Sequence, residues 1–257
     1  MNQNVLLILV DGMRPDAIAA CDHPFLRELR KSTASTWNAS TVMPSITLPC
    51  HASLFFSVDP SRHGITTNTW MPQVRPIDSI ADAANKAGKR CAMFSNWEEL
   101  RDLNRPGSLD AAIFCRIKER YEESDWALTR CAQGYIQTEN PNFVFLYLGN
   151  TDSAGHRLGW MSPGYLQAVS TASACIETIL SSLPEGWTSI ITADHGGHER
   201  THGTEMPEDM TIPLYLCGAS IAPGHLPDDA NIQDIAPTIA ALMGFPAPEE
   251  WEGKSLI

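Results

Sequence analysis

The run TADHGGHERTHG concentrates chemistry: Asp194, His195, His198 and His202 fall within nine positions, in a chain that has eight histidines. The glycines at 196, 197 and 203 permit tight turns that can fold those side chains onto one point. A second acid–imidazole pair, Asp152 and His156 in DSAGH, has the four-residue spacing that puts both on one side of a helical turn. Asp11 closes the apolar run VLLILV. Carboxylate and imidazole donors without cysteine suit Zn²⁺, Mn²⁺ or Fe²⁺ better than Ca²⁺ or Mg²⁺. They outnumber what one tetrahedral ion needs. The expectation is two divalent ions close together, an arrangement that clamps the attacking and leaving oxygens of an in-line displacement.

A candidate nucleophile lies in MPSITLPCH. Pro44 and Ser45 read as helix-start signals, so Thr47 is expected in a first helical turn, near free backbone N–H groups and the positive helix end. That place suits an anion. A hydroxyl is a weak nucleophile until a base or a metal activates it.

The elements that must position these residues are legible as alternation. Strands are expected over residues 5–10, 90–94, 143–148, 189–192 and 212–216, with a more polar strand over 34–42. Helical stretches are expected near 25–31, 77–87, 117–136, 165–183 and 235–243. Continuous apolar strands alternating with helices imply a three-layer α/β/α architecture around a mostly parallel sheet. Asp11, Asp152 and the Asp194–His195 pair each follow an expected strand, so they should meet at the carboxyl rim where open α/β sheets bind ligands. No repeat or linker appears, and residues 1–257 read as a single catalytic domain.

Composition narrows the partners. With 18 Lys+Arg against 30 Asp+Glu the formal net charge is −12, which argues against a nucleic-acid-binding face. A small anionic substrate stays open, because a bound cation reverses the local field. The seven cysteines form no C-x-x-C pair and read as reduced. The apolar run at 5–10 is too short for a membrane span or a signal-peptide core, so no membrane association and a cytoplasmic location are expected. Oligomeric state leaves no signature.

Assembled, these segments resemble the alkaline phosphatase superfamily, and more narrowly the type I phosphodiesterase/nucleotide pyrophosphatase family. The similarity runs through LILVDGMRPD, MPSITLPCHASLF, DPSRHGITTN, NTDSAGHRLG, TADHGG, THG and the closing DIAPTIAALMGFPAPEEWEGKSL, from residue 5 to 256. The resemblance implies that Thr47 is the covalent nucleophile and His51 its structural companion. It implies that Asn68, 21 positions after Thr47 and past His63-Gly64, holds a phosphoryl oxygen together with the Thr47 N–H. One implied metal site takes Asp11, Thr47, Asp194 and His195; the other takes Asp152, His156 and His202. His202 is preferred to His198 because it precedes Gly203.

Two departures stand out. His202 follows His195 by only seven positions, where the family has a much longer segment, and Cys50 replaces the usual Asn. The sulfatase pattern C/S-x-P-x-R is absent. The implied reaction is two-step phosphoryl transfer through a phosphothreonine, on a phosphodiester or nucleotide pyrophosphate, with two ions, zinc first and manganese or iron as alternatives. Arg14 and Arg62 read as salt-bridge residues, so no arginine is expected on the phosphate. Trp70, Trp97 and Trp160 are candidates to stack a leaving group. The rival readings are a phosphomonoesterase or phosphonoacetate-type hydrolase on the same site, and a metal-binding scaffold without activity.

Overall fold

In the computed structural model, which describes residues 3–116 and 120–257, the apolar runs become the strands of one eight-stranded sheet. In chain order these are β1 (Asn4–Val10), β2 (Ala34–Ser40), β3 (Cys91–Ser95), β4 (Ala111–Phe114), β5 (Phe143–Leu148), β6 (Trp187–Thr192), β7 (Thr211–Cys217) and β8 (Gly224–His225). Their order across the sheet is β4-β3-β5-β1-β6-β7-β2-β8. Every pairing is parallel except those that β7 makes with β6 and β2. Val5 to Val10 of β1 and all of β5 are buried, as a central strand covered on both faces requires.

Two groups of helices supply that cover. Pro15–Ala20, Phe25–Leu29, Tyr121–Glu139 and Asn150–Leu158 all pack on Pro163–Leu180, while Thr47–Phe56 and Ile80–Lys86 pack on Ile235–Met243. The mostly parallel three-layer expectation is borne out. Among the described residues no helix is long and apolar enough to cross a membrane.

Several boundaries differ. The expected helix over 117–136 is Tyr121–Glu139, and positions 117–119 lie outside the described residues. The strand expected at 34–42 ends at Ser40, and β4 and β8 were not expected at all. Pro44 and Ser45 do not start a helix. The Met43–Pro44 bond is cis, the Ser45 hydroxyl donates to the Thr204 carbonyl at 2.8 Å, and the helix begins at Thr47. Thr47 still occupies the first turn, where Pro49 costs nothing because its missing N–H would have no intrahelical acceptor.

The register carries the site. Val10 pairs with Leu148, and Leu9 with Thr192, so β5, β1 and β6 end at one level. Between β6 and β7 the chain makes no long crossover helix, because antiparallel neighbours need none. That short return, residues 193–210, holds Asp194, His195 and His202.

A candidate two-metal site at the sheet rim

Three strand exits converge on this rim. Asp11 follows β1, Asp194 and His195 follow β6, and the helix Asn150–Leu158 after β5 carries Asp152 in its first turn and His156 one turn on. Gly12 lets β1 turn against that helix. Its φ is +66°, and a Cβ there would lie 3.3 Å from the Asp152 Cα and Cβ. The Gly12 N–H donates to Asp194 Oδ1 at 3.1 Å, tying the first exit to the third.

The side chains form two groups, Asp11 with Asp194 and His195, and Asp152 with His156 and His202; in each, the donor atoms lie within 4.8 Å of one another. The first group is buried, whereas His156 in the second is exposed. The His195 and His202 rings stack at 3.8 Å and 14°, joining the two groups.

All three imidazoles are oriented alike. Nδ1 of His195 donates to Gly196 O at 2.7 Å, that of His156 to Arg200 O at 2.9 Å, and that of His202 to Ser45 O at 2.8 Å. A proton on Nδ1 leaves the Nε2 lone pair free. Each Nε2 faces carboxylates: His195 lies 3.3 Å from Asp11 Oδ1 and Asp194 Oδ2, His156 3.4 Å and His202 3.7 Å from Asp152 Oδ1. Carbonyl-anchored imidazoles of this kind are the outer support that metal-ligating histidines use.

The electrostatics point the same way. Burial, with Asp194 and Asp152 alongside, pushes Asp11 well above the usual carboxylate range, against the Tyr147 hydroxyl that donates to it. Burial also raises Asp194 and lowers His195, and it brings His202 down to about 4, so both rings are neutral at pH 7. Asp11 Oδ1, Asp152 Oδ1 and Asp194 Oδ2 are buried and accept no hydrogen bond from the described residues. Carboxylate oxygens left bare in a low-dielectric site, opposite neutral imidazole lone pairs, fit a pair of divalent cations.

Thr47 meets the buried group, with its Oγ1 3.1 Å from His195 Nε2. Asn68 Oδ1 accepts the Leu48 N–H at 3.0 Å, which leaves its amide N–H groups to donate, next to the free Thr47 N–H. His51 lies behind them, donating through Nδ1 to Thr47 O at 2.7 Å and 3.5 Å from Asp194 Oδ2. His63 holds the chain that leads to Asn68, accepting the Ile65 N–H at 3.0 Å and contacting Ser53 Oγ at 3.1 Å. His198 is drawn away to Asp209, 2.7 Å from Oδ1, and stands outside both groups.

A cavity of about 540 Å³ opens over these residues. Asp11, Thr47, Asn68, Asp152, His156, His202 and the stacking candidate Trp97 line it, and so do Asn96, Arg116, Tyr121 and Arg157, which the motifs did not single out for it. Arg157, inside the NTDSAGHRLG segment, and Arg116 thus line the cavity although neither is among the residues expected at the phosphate. Arg14 and Arg62 do pair elsewhere, with Asp16 and Glu252. Of the three tryptophans only Trp97 reaches the cavity; Trp70 packs against Phe56, and buried Trp160 donates to Gly12 O at 3.0 Å.

Asp125 is a further residue that the sequence hid. Fully buried, it accepts Asn96 Nδ2 at 2.6 Å, Gly149 N–H at 3.0 Å and Asn150 N–H at 3.2 Å. It thereby fixes both a cavity side chain and the start of the helix that carries Asp152 and His156. Burial pushes it up to about 7, against those three donors.

Known proteins share this framework. The murine ectonucleotide pyrophosphatase/phosphodiesterase 5, in complex with AMP, superposes with a TM-score of 0.80 at 14% identity, covering 96% of each chain. A 2-O GAG sulfatase superposes with a TM-score of 0.79 at 15% identity over 100% of this chain and 73% of the other. In sequence, the 2,3-bisphosphoglycerate-independent phosphoglycerate mutase of Clostridioides difficile is 32% identical over 143 residues, covering 53% of this chain and 28% of the relative. The human GPI ethanolamine phosphate transferase 2 catalytic subunit is 24% identical over 98% of this chain and 27% of its own. The chain thus spans about a quarter of the length of the curated relatives it matches. The type I phosphodiesterase/nucleotide pyrophosphatase family model matches residues 5–97, and the metalloenzyme superfamily model residues 114–247. The chain belongs to the metalloenzyme superfamily, within the alkaline-phosphatase-like fold, with a type I phosphodiesterase/nucleotide pyrophosphatase-like N-terminal part.

Proposed function

We propose that the protein is a metal-dependent hydrolase that cleaves phosphodiester or nucleotide pyrophosphate bonds through a phosphothreonine at Thr47. One observation carries this reading: a hydroxyl at a helix start lies 3.1 Å from the imidazole that links two acid–imidazole groups, in the same cavity as Asn68. Asp11, Thr47, Asp194 and His195 would hold one ion, and Asp152, His156 and His202 the other, with zinc as the first choice and manganese or iron next. When bound, such ions lower the pKa of the Thr47 hydroxyl and offset charge on the entering and departing oxygens.

The chain's own residues do the rest. Thr47 Oγ1 forms the bond to phosphorus as the leaving-group oxygen departs in line. Asn68 and the Thr47 N–H donate to a non-bridging oxygen, where charge grows in the transition state. The exposed edge at His156 admits the water that then breaks the Thr47–phosphorus bond, releasing the phosphomonoester that keeps the second ester group and restoring the Thr47 hydroxyl. The AMP complex of the murine phosphodiesterase makes a nucleotide product the natural candidate here as well.

A phosphomonoesterase or phosphonoacetate-type hydrolase on this site is the second reading, favoured by Arg116 and Arg157, since a monoester dianion calls for added positive charge. Turnover of bis-p-nitrophenyl phosphate against p-nitrophenyl phosphate separates the two. We expect the diester to have the higher kcat/KM; a strong preference for the monoester reverses the order.

A further inference from the structure

Beyond the two acid–imidazole groups, the charged side chains lining the cavity among the described residues are Arg116 and Arg157. In a chain of net charge −12, two arginines thus stand against the two aspartates that line the same cavity. Arg14, Arg62, Arg90, Arg101, Arg105 and Arg120 have carboxylate partners, whereas Arg116 and Arg157, like Arg27, Arg30, Arg75, Arg130 and Arg200, have none among the described residues; what sets Arg116 and Arg157 apart is that they line the cavity.

Their placement is specific. Arg157 and Ser153 are four residues apart on the helix Asn150–Leu158, forming the row beside Asp152 and His156. Both rows face the cavity. Arg157 therefore flanks the group proposed to serve the departing oxygen. Arg116 follows β4 as Trp97 follows β3, and the pairing of Ser95 with Phe114 sets these two exits side by side as another part of the wall.

The charge balance favours more than a simple diester. Three aspartates and two divalent ions leave one positive charge, which one diester anion neutralises. Two guanidinium groups then face the remainder of the substrate. Guanidinium recognises carboxylate and phosphoryl oxygens through paired N–H donors.

We propose that Arg116 and Arg157 select phosphodiesters whose leaving group carries a carboxylate of its own. This rests on the diesterase reading and names its substrate class.

Two diesters that differ only in that charge test it: methyl 4-carboxyphenyl phosphate and methyl 4-carbamoylphenyl phosphate. Titration calorimetry on the metal-loaded Thr47→Ala protein gives Kd for both, and kcat/KM is read on the unsubstituted enzyme. We expect the carboxylate to bind about tenfold more tightly, as charge-assisted hydrogen bonds give. The preference should shrink in Arg116→Gln and in Arg157→Gln, and vanish in the double variant. Equal Kd values for the two probes, or a preference that survives both substitutions, overturn the inference. A binding preference without turnover of either ester supports it while removing the diesterase reading.

Discussion

Thr47→Ala should abolish turnover of a phosphodiester, by about 10⁴-fold or more in kcat, while the protein still retains its divalent metal. The magnitude is that of deleting the attacking atom of a covalent mechanism, which leaves only binding and charge stabilisation. The fold should tolerate the change, because among the described residues Thr47 Oγ1 makes one hydrogen bond, the 3.1 Å one to His195 Nε2. Elemental analysis and thermal melting of the variant check the structural half, and initial rates on bis-p-nitrophenyl phosphate check the chemical half. Full activity in Thr47→Ala removes the nucleophile assignment.

Asp194→Asn is the second large effect, and its two halves have opposite signs. The amide keeps an acceptor for the Gly12 and His195 N–H groups, which bond Oδ1 at 3.1 Å and 3.0 Å. It removes the charge at Oδ2, a buried oxygen with no hydrogen-bond partner among the described residues. Turnover should therefore fall well beyond the 10²–10³-fold expected for Asn68→Ala, which deletes one donor to a phosphoryl oxygen.

Stability of the metal-free protein should rise instead. Burial holds Asp194 above its ordinary value, so the folded state binds the proton more tightly than the unfolded chain does. A raised carboxyl contributes stability at low pH that is lost as pH climbs through the folded value; at neutral pH its charge opposes folding. Replacing it with a neutral amide lifts that penalty, at about 2–4 °C in Tm per kcal/mol for a chain of this size. A metal-free Asp194→Asn protein that melts below the unsubstituted one at pH 7 contradicts this account of the rim.

Much of this rim can be read from sequence. Asp11, Asp152 and Asp194 each follow a run apolar enough to be recognised as a buried strand, and such strands end at a common level. The four-residue spacing points to His156 and the family resemblance to His202, and both come to within 4 Å of Asp152 Oδ1. What escaped has physical reasons. β4 is a four-residue edge strand, largely exposed, so it lacks the apolar run that marks β1 or β5. Without it, Arg116 has no assigned place. Asp125 and Asn96 act singly, from a helix and a strand exit, and lack a partner at fixed spacing. Their meeting is purely tertiary. Pro44 and Ser45 carry the composition of a helix start but belong to the approach, and Ser45 spends its hydroxyl on Thr204.

Metal content joined to activity tests the central claim most directly. The purified protein should contain two equivalents of divalent metal per chain, lose diester turnover on exhaustive chelation, and regain it on adding zinc, manganese or iron back. Protein that holds no metal and hydrolyses the diester at an undiminished rate in excess chelator would contradict it.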